Sequence, residues 1–416
     1  MVAAWALLAG ALAGCGAPRP AAGARAPLLV LVSLDGFGWD FGRYAPTPNL
    51  DALAARGVRA ERLIPAFPSK TFPNHYTIVT GLYPGHHGIV GNTIRDPLLG
   101  RFALEDRKAV RDGRWWGGEP LWGTLSRQGG WSAPHFWPGA EAEIAGRRPD
   151  AWQAWNGGMR YEERVSWILE RLGRAPADRP RFVTLYVEAV DGAAHAHPLA
   201  SPAVARAVAS ADRALGRLLD GLAGLGLADA ADVVVLSDHG HAEIAPERTV
   251  FVDELVDLDA LDVVDWSPLF QANPRPGREA EARAALARSP HLRVYLREET
   301  PPEWRFRDSP RVPRLLALAE EGWSISTRGF RARNPGRVAG NHGFDPALPS
   351  MGGLFVAAGP SFRRGATVPP FENVHLYELF CRILGVVPAP NDGDFERVRG
   401  LLADGVPAAA RAAPRP

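Results

Sequence analysis

Residues 28–36 read LLVLVSLDG, an apolar run broken only by Ser33 that stops at Asp35-Gly36. A run with no polar alternation describes a strand covered on both faces, the environment of a parallel sheet. Two further runs share this form: Phe182 to Val190 stops at Asp191, and Val233 to Leu236 stops at Ser237-Asp238-His239-Gly240. Leu354 to Ala358 is another candidate strand. Helical patterns over Thr47 to Arg56, Tyr161 to Leu172 and Pro202 to Leu225 lie between them. Strands alternating with helices predict an α/β fold with a mostly parallel central sheet and helices on both faces. Ligands in such folds gather at the carboxyl ends of the strands. One Asp at a strand end is ordinary, because Asp starts turns and caps helices. Three, two of them with His close behind, point to chemistry.

Asp191 and His195 are four residues apart, so one helical turn aims both side chains at a single point. Asp238 and His239 share a strand end, and His342 lies in Gly340-Asn341-His342-Gly343, where glycine permits close backbone approach. With Asp35 the set holds three carboxylates and three imidazoles. Oxygen and nitrogen donors without thiolate suit zinc or a similar borderline metal. The set is too large for one tetrahedral catalytic ion and suits two ions with an open position. Taken singly, each Asp is equally a turn or cap residue and each His a satisfied core residue. Residues 67–76 read FPSKTFPNHY. Pro73, followed by Tyr76, Ile78, Val79 and Leu82, predicts a helix start with Thr71 just before the first turn. Free N–H groups and the helix dipole favour a phosphate there; capping by Thr71 or Ser69 is the competing use. Lys70 is read as a solvated neighbour.

Lys and Arg number 47 against 46 Asp and Glu, leaving a net charge of +1. That balance argues against a polyanion-binding face, so no nucleic-acid surface is expected. The apolar stretch from Val2 ends in Leu12-Ala13-Gly14-Cys15, which resembles a bacterial lipoprotein signal occupying 1–15. An exported protein on the periplasmic or cell-surface side, held to the membrane only through a lipid on Cys15, is the expectation; an ordinary cleaved signal is the alternative. Residues 16–27, rich in Ala, Pro and Gly, read as a tether, and 403–416 as a disordered tail. The body is 28–402, with a small inserted subdomain at about 243–337, where the strand–helix alternation weakens. Cys381 falls in an apolar helical pattern and is read as a buried, inert thiol. No feature calls for a protein partner.

The chain resembles the nucleotide pyrophosphatase/phosphodiesterases of the alkaline-phosphatase superfamily. The resemblance runs from Leu31 to Cys381 and rests on Ser33-Leu34-Asp35-Gly36, the run Phe67 to Tyr76, Thr80-Gly81-Leu82-Tyr83-Pro84, Asn92, Gly118-Glu119-Pro120-Leu121-Trp122, Ser237-Asp238-His239-Gly240 and His342-Gly343-Phe344-Asp345. It implies an alkaline-phosphatase-like fold and two zinc ions. One ion would be held by Asp191, His195 and His342, the other by Asp35, Asp238, His239 and the oxygen of Thr71, the nucleophile. Asn92 would donate a hydrogen bond to the substrate phosphoryl group. Phe72 and Tyr186 match positions that sandwich a nucleobase; from the sequence alone they read as core aromatics. The implied reaction cleaves phosphodiester or pyrophosphate bonds of nucleotides through a covalent threonine intermediate and releases a nucleoside monophosphate. Phosphonate or lysophospholipid head-group substrates are the competing reading, and a zinc- or nucleotide-binding lipoprotein the non-enzymatic one. Two departures stand out. Ala194 and Ala196-His197-Pro198 flank His195 where the family usually has Gly before it and Gly-Pro shortly after. His241 stands where Met is common, read as either a support for a ligand or an exposed residue.

Overall fold

The computed structural model describes residues 26–405. The Cys15 signal, residues 16–25 of the tether and residues 406–416 of the tail lie outside the described residues. Seven strands form the central sheet: β1 (Leu28–Leu34), β2 (Val58–Ala60), β3 (Ser132–Pro134), β4 (Phe182–Val187), β5 (Ala231–Leu236), β6 (Phe355–Ala358) and β7 (Ala366–Val368), in the spatial order β7-β2-β6-β5-β1-β4-β3. The block β5-β1-β4-β3 is parallel throughout, as is the edge pair β7-β2. β6 runs antiparallel to both of its neighbours. The sheet is therefore mixed, with the expected parallel core and one reversed strand.

The period-2 alternation of β1 divides the core. Leu29 and Leu31 join one apolar cluster, whereas Val30, Val32 and Leu34 join the other. Helices that cover the sheet include α1 (Pro48–Ala55), α2 (Thr71–Thr80), α3 (Tyr161–Leu172), α4 (Ala189–Ala196), α5 (Pro202–Gly224) and α6 (Leu376–Leu384). α2 and α6 cover the first face through residues such as Ile78, Val79, Leu379 and Phe380. α1, α3, α4 and α5 cover the second, through Leu53, Ile168, Val190 and Leu215 among others. Cys381 is buried in α6, where burial pushes its thiol well above the usual range.

Two expected boundaries move. The strand expected to reach Val190 stops at Val187, and helix α4 begins at Ala189 with Glu188 as its cap. The Ala-rich stretch Ala189 to Ala196 has helix-forming composition that outweighs the apolar run, so Asp191 lies in a first helical turn rather than at a strand end. Thr71 is itself the first residue of α2, with Lys70 as the cap.

Residues 261–319 carry a four-stranded antiparallel sheet, built from Leu261–Asp265, Leu269–Pro274, Leu292–Leu296 and Leu315–Ala319. Helix Glu279–Leu286 packs on it, around a separate apolar cluster that includes Phe270, Leu286 and Leu315. Among the described residues no helix is long and apolar enough to cross a membrane.

The long helix α5 also caps its neighbour. Buried Asp212 accepts from the backbone N–H groups of Asn49 (3.3 Å) and Leu50 (2.9 Å), two otherwise orphaned donors at the start of α1. Asp212→Ala should cost about 1–3 kcal/mol, the penalty of leaving buried donors unmet. Urea unfolding would measure it, with catalytic constants unchanged.

Candidate active site

The parallel register assembles the site. Ser33 pairs with Tyr186 on one side and Leu236 on the other, so β1, β4 and β5 end in one row. Asp35 leaves β1 at Gly36, whose φ of +67° gives the turn. The Asp35 N–H donates to Val187 O (2.9 Å) and the Asp191 N–H to Asp35 O (3.1 Å), which ties the start of α4 to the same edge. Asp238 and His239 follow β5 directly, and Asp238 Oδ1 accepts from the Gly36 N–H at 3.2 Å. α2 brings Thr71 to the edge from the other face. Its Oγ1 lies 3.4 Å from His239 Nε2.

The sequence-expected ligands come together. His195 Nε2 and His342 Nε2 stand 3.3 and 3.7 Å from Asp191 Oδ1. His239 Nε2 is 3.6 Å from Asp35 Oδ1 and 3.1 Å from Asp238 Oδ2. Each of these oxygens, Asp35 Oδ1, Asp191 Oδ1 and Asp238 Oδ2, is buried without a hydrogen-bond partner. Buried acceptors left so are costly unless a cation completes them. The histidines are prepared for that role. His342 Nδ1 donates to Ser69 O (2.8 Å) and His239 Nδ1 to Gly240 O (3.1 Å), so Nε2 faces inward in both. Burial holds both rings far below their usual pKa, in the neutral form that ligation requires. Burial, followed by the Asp238 and Asp191 charges, pushes the Asp35 carboxyl well above its ordinary range. These residues fit a metal centre.

His241, which the sequence left between supporting and exposed roles, is buried, with Nε2 3.2 Å from Asp191 Oδ1. His197 is exposed at the end of α4. Lys70 corrects its reading as a solvated neighbour: it is buried and paired with Asp265 of the small sheet. Ser69 is fully buried and its hydroxyl donates to Phe344 O (3.0 Å), which leaves Thr71 as the hydroxyl facing the cluster.

A cavity of about 170 Å³ opens beside Thr71, Asp35 and Asp191. Phe72, Phe136, Trp155 and Tyr186 wall it. Tyr186 also donates its hydroxyl to Asp35 Oδ2, which turns the other oxygen into the cluster. Asn92 Oδ1 accepts from the Phe72 N–H at 3.0 Å, so the amide presents Nδ2 as its donor. Trp155 escaped the sequence reading, because it lies in a loop with no periodic pattern to mark it. Arg164 braces this wall. Its guanidinium packs on the rings of Phe136 and Trp155, pairs with Glu188 and donates to Tyr186 O (2.9 Å).

Burial raises the Asp238 carboxyl from 3.8 to about 7, with the Asp191 charge adding to the effect. A folded pKa above the unfolded one means stability present at low pH and lost as pH rises through the folded value. In metal-stripped protein at pH 8, Asp238→Asn should therefore raise stability, on the order of 1–4 kcal/mol at about 1.4 kcal/mol per pKa unit. The same variant should gain far less from added divalent metal than the parent. Thermal unfolding with and without metal tests both; a variant no more stable than the stripped parent contradicts the charge argument.

Comparison with known proteins agrees with this architecture. A family model described as type I phosphodiesterase / nucleotide pyrophosphatase matches residues 29–345. Human ectonucleotide pyrophosphatase/phosphodiesterase family member 5 is 32% identical over 382 residues, covering 91% of this chain and 79% of that protein. Mouse family member 1 is 35% identical over 393 residues, covering 90% of this chain but 43% of that protein, so the chain spans less than half of that relative's length. Among solved structures, an inactive threonine-to-alanine variant of murine ectonucleotide pyrophosphatase/phosphodiesterase 5 in complex with AMP superposes with a TM-score of 0.85. It has 33% sequence identity and covers 91% of this chain and 100% of that one. By the span of the family match and the extent of these likenesses, the chain belongs to the type I phosphodiesterase/nucleotide pyrophosphatase family.

Proposed function

We propose that the protein is a two-zinc hydrolase that cleaves phosphodiester or pyrophosphate bonds of nucleotides, with Thr71 as nucleophile and a nucleoside monophosphate as product. The observation that carries this reading is the position of Thr71 Oγ1, 3.4 Å from His239 Nε2 at the junction of the carboxylate–histidine cluster and the cavity. One zinc is assigned to Asp191, His195 and His342, the other to Asp35, Asp238, His239 and Thr71. Nitrogen and oxygen donors without thiolate favour zinc. The AMP complex of the murine relative supports a nucleotide as substrate. Ectoenzyme and venom relatives support export, and a lipid on Cys15 would be the anchor. Residues 28–402 are proposed as the catalytic unit, with 243–337 inserted in it.

The bound ions supply positive charge that lowers the pKa of a hydroxyl or water and offsets charge on phosphoryl oxygens. The chain's own residues do the rest. Thr71 Oγ1 attacks phosphorus and gives its proton to solvent; the bond to the leaving group breaks, the leaving oxygen takes up a proton as its pKa requires, and a nucleotidyl ester of Thr71 forms. Asn92 Nδ2 donates to a phosphoryl oxygen as negative charge shifts in the transition state. Water then cleaves the ester: its oxygen stays on phosphorus in the released monophosphate and one of its protons restores the Thr71 hydroxyl. Phe72, Tyr186 and Trp155 enclose the base and keep water from its faces. This aromatic wall favours a nucleotide over a choline or phosphonate head group.

Thr71→Ala should fold, bind metal and lose turnover by several orders of magnitude. A loss below about tenfold, roughly 1.4 kcal/mol of barrier, would assign the nucleophile elsewhere. Phe72→Ala should lower kcat/KM for a nucleotide by about 10- to 100-fold, since stacking on a base contributes ~1–3 kcal/mol. The same variant should spare a small aryl phosphodiester, and an equal fall for both substrates would make Phe72 a packing residue. Chelation should abolish activity and zinc restore it.

A further inference from the structure

His241 is the feature that the reading above does not use. Its ring is fully enclosed: a Cβ at Gly36 would lie 2.4 Å from Cε1, and one at Gly340 would lie 3.1 Å from Cδ2. Two glycines therefore make the slot that admits the imidazole edge-in. Nδ1 lies 3.1 Å from the Gly36 carbonyl oxygen. A carbonyl only accepts, so Nδ1 carries a proton and Nε2 is the ring atom turned to the cluster. Nε2 faces Asp191 Oδ1 at 3.2 Å. Neither atom has a hydrogen-bond partner.

The same carboxylate oxygen is 3.3 Å from His195 Nε2 and 3.7 Å from His342 Nε2. Donors held at about 2.0–2.1 Å by a tetrahedral zinc stand roughly 3.3 Å from one another. Three imidazole nitrogens around one oxygen at 3.2, 3.3 and 3.7 Å thus come close to three of the six edges of a coordination tetrahedron. The rings fan outward from the common point: His241 meets His195 and His342 edge-on, with centroids 5.3 Å away in each case. The donor atoms of Asp191, His195, His241 and His342 all lie within 4.8 Å of one another.

We propose that His241 is a fourth protein ligand of the ion assigned to Asp191, His195 and His342, so that one carboxylate and three imidazoles hold that ion. This rests on the metal reading above. It implies that the chain grips this ion with a complete tetrahedron, in a position where an open one is usual for catalytic zinc. A substrate or water oxygen then enters as a fifth donor.

The test is cobalt substitution read by paramagnetic proton NMR, where each ligating imidazole with a protected ring N–H gives one strongly shifted, solvent-exchangeable resonance. His241→Met and His241→Gln should each remove one such resonance relative to the parent protein. They should also lose metal to a competing chelator about 10- to 100-fold more readily, the scale of disturbed zinc sites. His197→Met, on an exposed residue, should change neither. The Gln variant keeps a polar side chain in the slot, so folding is secured by one of the pair if the other fails. If the shifted set is the same in the parent and the His241 variants, His241 is not a ligand and the proposal is overturned while the metal centre stands. If the parent takes up no cobalt and shows no shifted resonances, the metal reading itself fails, and this inference with it.

Discussion

Three carboxylates, Asp35, Asp191 and Asp238, are gathered within one small volume at the end of the sheet, and two of them are almost fully buried. Burial first, and neighbouring negative charge second, make Asp35 and Asp238 resist ionisation, whereas the surrounding histidines outweigh burial and hold the Asp191 carboxyl well below its usual range. Nothing in the apolar core needs such a cluster. Its cost is tolerable only where positive charge is brought to it, and most local features of the chain serve that end. The tight turn at Gly36, the inward Nε2 atoms and the hydroxyl of Tyr186 on Asp35 all keep carboxylate oxygens directed at a common centre.

The sheet supplies the rigidity this requires. Because β5, β1 and β4 run parallel and in register, their ends arrive together and groups distant in sequence meet without a long loop. Helix α2 then delivers Thr71 from one face and α4 delivers Asp191 and His195 beside it. The small sheet contributes from outside. Asp265 pairs with Lys70 at the cap of α2, which fixes the residue before Thr71.

Much of this was legible in the sequence, for stated reasons. Asp35 and Asp238 stand where apolar runs stop, so their placement followed from the strands. Asp191 and His195 were legible through their spacing of four even though the strand before them was drawn too long; the Ala-rich composition after Glu188 was the missed signal. The reversal of β6 was not legible, because four apolar residues carry no direction. Lys70 was misread because its partner lies 195 residues away and a lysine is ordinarily solvated. His241 follows Gly240 identically whether its ring turns in or out, and only the glycine-lined slot decides it. Trp155 reaches the cavity from a loop without repeat or alternation.

The turn that precedes Thr71 is laced to the segment carrying His342. Ser69 accepts from His342 Nδ1 through its carbonyl and donates to Phe344 O through its hydroxyl. Immobilising His342 therefore also immobilises the backbone leading into Thr71, which belongs to the neighbouring half of the centre. Under the proposed two-ion reading, the order that one ion imposes on His342 is already in place around Thr71 for the other.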